Sequence, residues 1–392
     1  MGVNDLTLTQ ASTVLNDIVK QATGKNTLAP QNTAEFVSVA NTMLKMGYEP
    51  LLNSITQVLS KTIFSIRPYY RKFAGISVSN QKFGNITRKL NIADRDFEDD
   101  SRLPLTEGQS VDMYEVCKPS ILQTNFYGAI MYQRCLTIFK DQLDTAFTTP
   151  EEFGRFITMT MQNASDMIEQ AHETLARSTI ANFIGAILAN EEETGQKIHL
   201  VSEYNDLTGQ KLTADTVYAP ENFSNFMKFV VARVKTLSDI LTERTVKWHV
   251  NVDGKEISRH TPKRNQKMYL YTPTQYLTET GVLSDLYNDQ YMKLVDFERV
   301  NFWQSVDTPD TLNVKPIYMK KDGTLASPAE AISENHIFGV IFDEEALGYT
   351  TVNQWSATTP FNARGGYSNV YWHFTDRYWN DFTENGIVLL LD

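Results

Sequence analysis

Cysteine is close to absent. The two cysteines of this 392-residue chain, Cys117 and Cys135, have neither CxxC spacing nor a histidine cluster beside them. That argues against zinc and leaves reduced core residues as the expectation. Histidine is sparse as well: His172, His199, His249, His260, His336 and His373 are scattered without HExxH or comparable spacing, so no metal site is expected. Long apolar runs are missing. The longest, residues 387–391, falls far short of the roughly 20 residues that a membrane helix requires. The opening MGVNDLTLTQ has no basic segment leading into an apolar one, and Leu6 stands where a myristoylation motif needs Ser or Thr. A soluble protein made in a cytoplasm, without leader or lipid anchor, is the expectation.

Positive charge is in deficit: 36 Lys and Arg stand against 47 Asp and Glu, a net charge of -11. This argues against nucleic-acid binding over the whole surface. Phosphate and nucleophile signatures are lacking too, with no GxxxxGK[ST] loop, no GxGxxG after a strand and no GxSxG elbow. Asp94, Asp96 and Glu98 supply the first alternating acids of a calcium loop. Asp99 then sits where the turn glycine belongs, and Leu105 where the bidentate glutamate belongs. No cofactor is expected, no catalytic residue is identified, and neither a repeat of 20 to 50 residues nor a low-complexity tract interrupts the chain.

What is present is a well-patterned α+β sequence, 42% hydrophobic and long enough for two or three compact units. Residues 1–60 read as an arm carrying helices, with Phe36, Val37, Ala40, Met43 and Leu44 at helical spacing. A strand over 121–131 and a short helix over 136–147 are expected next. Thr149-Pro150-Glu151-Glu152 then gives a strong helix start: Thr149 as N-cap, Pro150 as first helical residue, Glu152 completing a capping box. Apolar residues from Phe153 to Leu188 follow near the 3.6 period without an internal proline, predicting one helix to about residue 190. Beyond it the pattern predicts helices over 221–241 and 273–287, and strands over 267–272, near Ile317 and over 337–342.

Charge is most lopsided between residues 61 and 115. Residues 61–90 hold seven basic residues (Lys61, Arg67, Arg71, Lys72, Lys82, Arg88, Lys89) and no acid. Residues 91–115 hold Asp94, Asp96, Glu98, Asp99, Asp100, Glu107, Asp112 and Glu115 against Arg95 and Arg102. These read as two arms of one hairpin, Ile76 to Ile92 returning through Val111, Met113 and Val116. Two strands alone are marginal in water, so such a hairpin should lie on something else.

The closing segment FNARGGYSNVYWHFTDRYWNDFTENGIVLLLD gathers eight aromatics, with Val370, Trp372 and Phe374 alternating onto one face. Asn385-Gly386 reads as the turn of a buried hairpin between that aromatic strand and residues 387–391. Together with HIFGVIFDEEALGY before it, this segment resembles the end of tailed-bacteriophage major capsid proteins, closest to small podovirus shells.

That resemblance implies a fold of the Hong Kong 97 type: an N-terminal arm over 1–60, an E-loop hairpin over 61–118, and a P-domain over 119–195 whose spine helix covers about 150–190. An A-domain over 196–350 and C-terminal strands over 351–392 complete it. It further implies self-assembly into pentamers and hexamers of an icosahedral virion shell, built in the host bacterial cytoplasm around double-stranded DNA held without sequence specificity. A scaffolding protein, a portal and decoration proteins are the implied partners, and no membrane. Arg71, Lys72, Lys82, Arg88, Lys89, Asp94, Asp96, Glu98, Asp99, Asp100 and Arg364 are the expected intersubunit contacts. An encapsulin-like compartment, and a soluble binding module or hydrolase, are the alternatives.

Overall fold

The computed structural model describes residues 8–23, 30, 32–45, 72–78, 87–93, 100, 105–114, 116, 118, 120–126, 129–190, 194–252, 254–271 and 297–392. Helices α1 (Leu8–Thr23) and α2 (Thr33–Lys45) come first, followed by strands β1 (Thr87–Ile92), β2 (Ile121–Phe126) and β3 (Ile130–Phe139). Helices α3 (Lys140–Ala146) and α4 (Pro150–Ala189), strand β4 (Lys197–His199), and helices α5 (Leu200–Thr208) and α6 (Pro220–Ile240) continue the chain. Strands β5 (Gln266–Tyr271), β6 (Phe297–Val300), β7 (Leu312–Val314), β8 (Tyr318–Met319), β9 (Leu325–Ala326) and β10 (Ile332–Glu334) lead to β11 (Ile337–Asp343) and β12 (Leu347–Thr358). β13 (Tyr367–Asn380) and β14 (Gly386–Leu390) close it.

The long helix forms as its start signal predicts. Thr149 is extended and its hydroxyl accepts the Glu152 N–H at 3.2 Å, Pro150 fills the first turn, and 40 residues run to Ala189. At about 1.5 Å per residue α4 spans roughly 60 Å. It therefore reaches two cores. Near its start Phe153 meets Phe147, Val370, Trp372 and the apolar faces of α1 and α2 (Val14, Leu15, Ile18, Phe36, Ala40, Met43). Near its end Ile180, Phe183, Ile184 and Ile187 pack under Val340, Phe342, Val388 and Tyr269. Helices α1 and α2 of the expected arm thus bury their apolar faces on their own chain.

Two sheets are arranged about this helix. A five-stranded sheet has the order β4-β14-β11-β5-β6, with β4 and β6 parallel to their neighbours and the inner pairs antiparallel. Alternation along β14 sends Val388 and Leu390 toward α4, while Ile387, Leu389 and Leu391 join Phe226, Met227 and Val230 of α6. A three-stranded antiparallel sheet, β12-β13-β3, turns Val370, Trp372 and Phe374 inward as expected.

Several expectations are corrected. β13 and β14 do not pair as a terminal hairpin but belong to different sheets. The chain crosses between them at residues 381–385, where Asp381 accepts the backbone N–H of Thr383 at 2.9 Å and Asn385 bonds His249 and Thr261. That buried polar corner steers β14 away from β13. β1 pairs with β2, Ile92 opposite Ile121, so the returning arm is 121–126 and not 111–116. The expected strand 121–131 divides into β2 and β3, and β3 runs on to Phe139 because β13 supplies a partner along its whole length. Cys135 is exposed on β3 and not a core residue. The expected helix at 273–287 lies outside the described residues, as does Cys117.

Candidate functional site

Among the described residues, no group of three or more His, Cys, Asp or Glu is placed to hold a metal ion. No described helix is long and apolar enough to cross a membrane. The chemistry that stands out is instead at the β1–β2 hairpin and its root.

Side chains on a strand alternate between two faces. On β1 the outward residues Leu90 and Ile92 are 60% and 65% exposed, and Ile121 opposite Ile92 is 54% exposed. Val111, Met113, Tyr114 and Val116, in the segment joining the two strands, are exposed too. An apolar stripe of this kind on a two-stranded ribbon lacks cover among the described residues. The inward face of β1 is polar: Asn91 is buried and Lys89 is mostly so.

Lys89 enters a cluster of acids. Its ammonium lies 2.9 Å from Asp381, 2.5 Å from Glu384 and 3.2 Å from Glu345. Arg259 meets Glu384 at 3.1 Å and donates from Nε to the Thr383 carbonyl at 3.0 Å. Burial pushes the Glu384 carboxyl above its ordinary range although Lys89 and Arg259 pull it down. Burial would lower the Lys89 ammonium, but Asp381 and Glu384 outweigh it and raise the group above 10.5.

At the hairpin root, Glu173 of α4 accepts the backbone N–H groups of Lys72 at 2.8 Å and Phe73 at 3.4 Å. Arg177, one turn on, donates from Nε to the same carboxylate at 2.8 Å and lies over the rings of Phe73 and Phe302. Between hairpin and helix is a cavity of about 990 Å³, lined by Leu122, Phe126, Leu175, Ile317 and Trp379 among others, and none of the described residues lining it is charged.

Of the residues expected to make contacts, Arg71, Lys82, Asp94, Asp96, Glu98 and Asp99 lie outside the described residues. Lys72, Arg88 and Asp100 are exposed. Arg364 is exposed in the tight turn after β12, where Asn362 Oδ1 accepts the Arg364 N–H at 3.1 Å and Gly366 takes φ 66°. Lys89 is brought to Glu345, Asp381 and Glu384 of its own chain. Sequence reasoning missed those three acids. The turn-forming Asp381 and Glu384 beside Asn385-Gly386 were visible, but nothing in their spacing ties them to a lysine so far up the chain. Glu173 and Arg177 carried a weak signal, an acid and a base four residues apart on a predicted helix.

A family model described as the Phi29-like phage major capsid protein matches residues 15–390. No curated protein matches by sequence. Among solved structures, the capsid of Staphylococcus phage Andhra is similar at TM-score 0.55 and 12% identity, covering 84% of this chain and 87% of the other. The structure of the head fiber and inner core protein gp22 of native bacteriophage P68 matches at TM-score 0.54 and 9% identity, with the same coverage of each chain.

Proposed function

This chain belongs to the Phi29-like phage major capsid protein family, whose model spans residues 15–390, and from that premise we propose how it builds a phage head. It is a head-shell protein of a bacteriophage, and its described residues form an α+β fold like that of the Andhra phage capsid. The family match is the observation that carries the reading, and it favours a phage head over an encapsulin-like compartment, a binding module or a hydrolase.

In this reading the fold is of the Hong Kong 97 type. α4 is the spine helix of a P-domain built on β12-β13-β3, and the five-stranded sheet with α5 and α6 is the A-domain. The role is structural and not enzymatic. Copies gather into pentamers and hexamers, and the β1–β2 hairpin is the E-loop, laying its exposed Leu90, Ile92 and Ile121 on a neighbouring copy. Such contacts passed from subunit to subunit close a ring, as head-to-tail interfaces do when their rotation closes. Lys72, Arg88, Asp100 and Arg364, exposed here, stand as charged contacts between copies, together with Arg71, Lys82, Asp94, Asp96, Glu98 and Asp99. The shell assembles in the host cytoplasm with a scaffolding protein, a portal and decoration proteins, and encloses double-stranded DNA. A net charge of -11 suits a wall along which a polyanion must slide.

Electron microscopy of the purified protein, expressed with and without its neighbouring genes, tests this, with light scattering for particle mass. Closed shells are expected in at least one condition. A homogeneous monomer in both would overturn it.

A further inference from the structure

On β1 the exposed side carries Leu90 and Ile92, while the inward side carries Asn91 and Lys89, and Lys89 pairs with charges of the body. Lys89 on β1 faces Glu345 in the turn between β11 and β12, and Asp381 and Glu384 at the corner between β13 and β14, with Arg259 approaching Glu384 from the 245–259 segment. Three carboxylates and two cations leave the cluster one negative charge in excess. Asp381 and Glu384 are buried, so Lys89 neutralises charge that the folded corner keeps from water.

We propose that Lys89 and the carboxylates of Glu345, Asp381 and Glu384 form a releasable latch that sets how far the hairpin stands off its own subunit, and so when it is available to a second copy. The latch is a positioning device and rests on the hairpin being the element that reaches a neighbour. Its release is coupled to protons. Lys89 and Arg259 pull the Glu384 carboxyl down while burial pushes it up. Withdrawing Lys89 removes part of that downward pull but also admits water to a carboxyl whose burial is the larger influence, so Glu384 does not drive opening as pH falls. The proton-linked limb lies at high pH, where Lys89, raised above 10.5 in the closed state, must lose its proton before the latch fails.

Hydrogen exchange on the full, unassembled chain reads the latch directly. Lys89→Met should speed exchange of the 87–92 and 121–126 amides about ten-fold while β11 and β14 keep their protection. Lys89→Arg, which keeps the cation, should restore most of the protection that Lys89→Met loses. Glu345→Gln removes an exposed partner without threatening the core, and should speed hairpin exchange by a smaller factor. Native-like hairpin protection in a folded Lys89→Met or Glu345→Gln protein would overturn the latch, as would a Lys89→Arg protein that exchanges as fast as Lys89→Met. Shell formation separates the two readings. Faster hairpin exchange with undisturbed shells keeps Lys89 as the tether of the hairpin to its own body, and overturns both the hairpin as the bond between copies and the latch's control of it.

Discussion

The Glu173 carboxylate accepts the backbone N–H of Lys72 at 2.8 Å, a bond between groups 101 residues apart. It fixes where the segment leading to the hairpin leaves the long helix. Arg177 shares that carboxylate and is held over Phe73 and Phe302, so one buried acid orients a loop, a cation and two rings. Glu173→Ala would take the carboxylate from Arg177, leaving it the Phe302 carbonyl, and would leave two N–H groups without their acceptor. A loss of about 3 kcal/mol is expected in urea unfolding, and Glu173→Gln, which still offers an acceptor, should lose less.

The start of α4 rests on a single hydroxyl. Thr149→Ala should cost about 1 kcal/mol and Thr149→Ser close to nothing, because serine offers the same acceptor to the Glu152 N–H. Thermal unfolding of the two variants checks this.

Gly339 lies where β11 and β5 pair. A Cβ there would meet the Tyr269 carbonyl oxygen at 2.7 Å and Leu270 Cδ2 at 2.5 Å. The carbonyl belongs to the ladder and cannot swing aside, so Gly339→Ala should destabilise by about 1–3 kcal/mol. Denaturant midpoints of the variant and the native protein measure it.

His249 is buried between Asn385 Oδ1 and the Ile257 carbonyl. Burial holds its pKa below 6.5. The unfolded chain therefore takes up a proton first as pH falls, and stability drops from about pH 6.5 downward. A plot of melting temperature against pH should slope down there, and His249→Gln should remove part of the slope if it folds with the same hydrogen bonds.

Deleting residues 94–109 should leave a folded subunit that forms no stable shells, and the pair Leu90→Asp with Ile92→Asp should do the same without shortening the hairpin. Circular dichroism reports the fold and electron microscopy the shells. Loss of folding in both would place the hairpin in the subunit's own core.

The parts that were legible in sequence were those set by local chemistry. Thr149, Pro150 and Glu152 marked the start of α4 because capping is decided within four residues, and Val370, Trp372 and Phe374 marked a buried face because strand alternation is strict. Partner choice was not legible. Val111, Met113 and Val116 looked as good a mate for β1 as Ile121 to Phe126, since hydrophobic alternation says which face is buried and not which strand lies beside it. The destination of β14 was hidden for the same reason: a tight turn at Asn385-Gly386 promises a reversal, while the buried bonds of Asp381, Thr383 and Asn385 decide that the chain changes sheets. Lys89 was singled out for its charge, but its acids come from turns that only the finished fold brings together.

The interleaving of the two sheets has a mechanical consequence. The chain passes from α4 into β4, returns from β11 to β12, and crosses again from β13 to β14, so three covalent strands tie one sheet's unit to the other. A load that would peel apart two docked domains is carried here by backbone bonds in parallel, and a wall made of such subunits yields between copies before it yields within one.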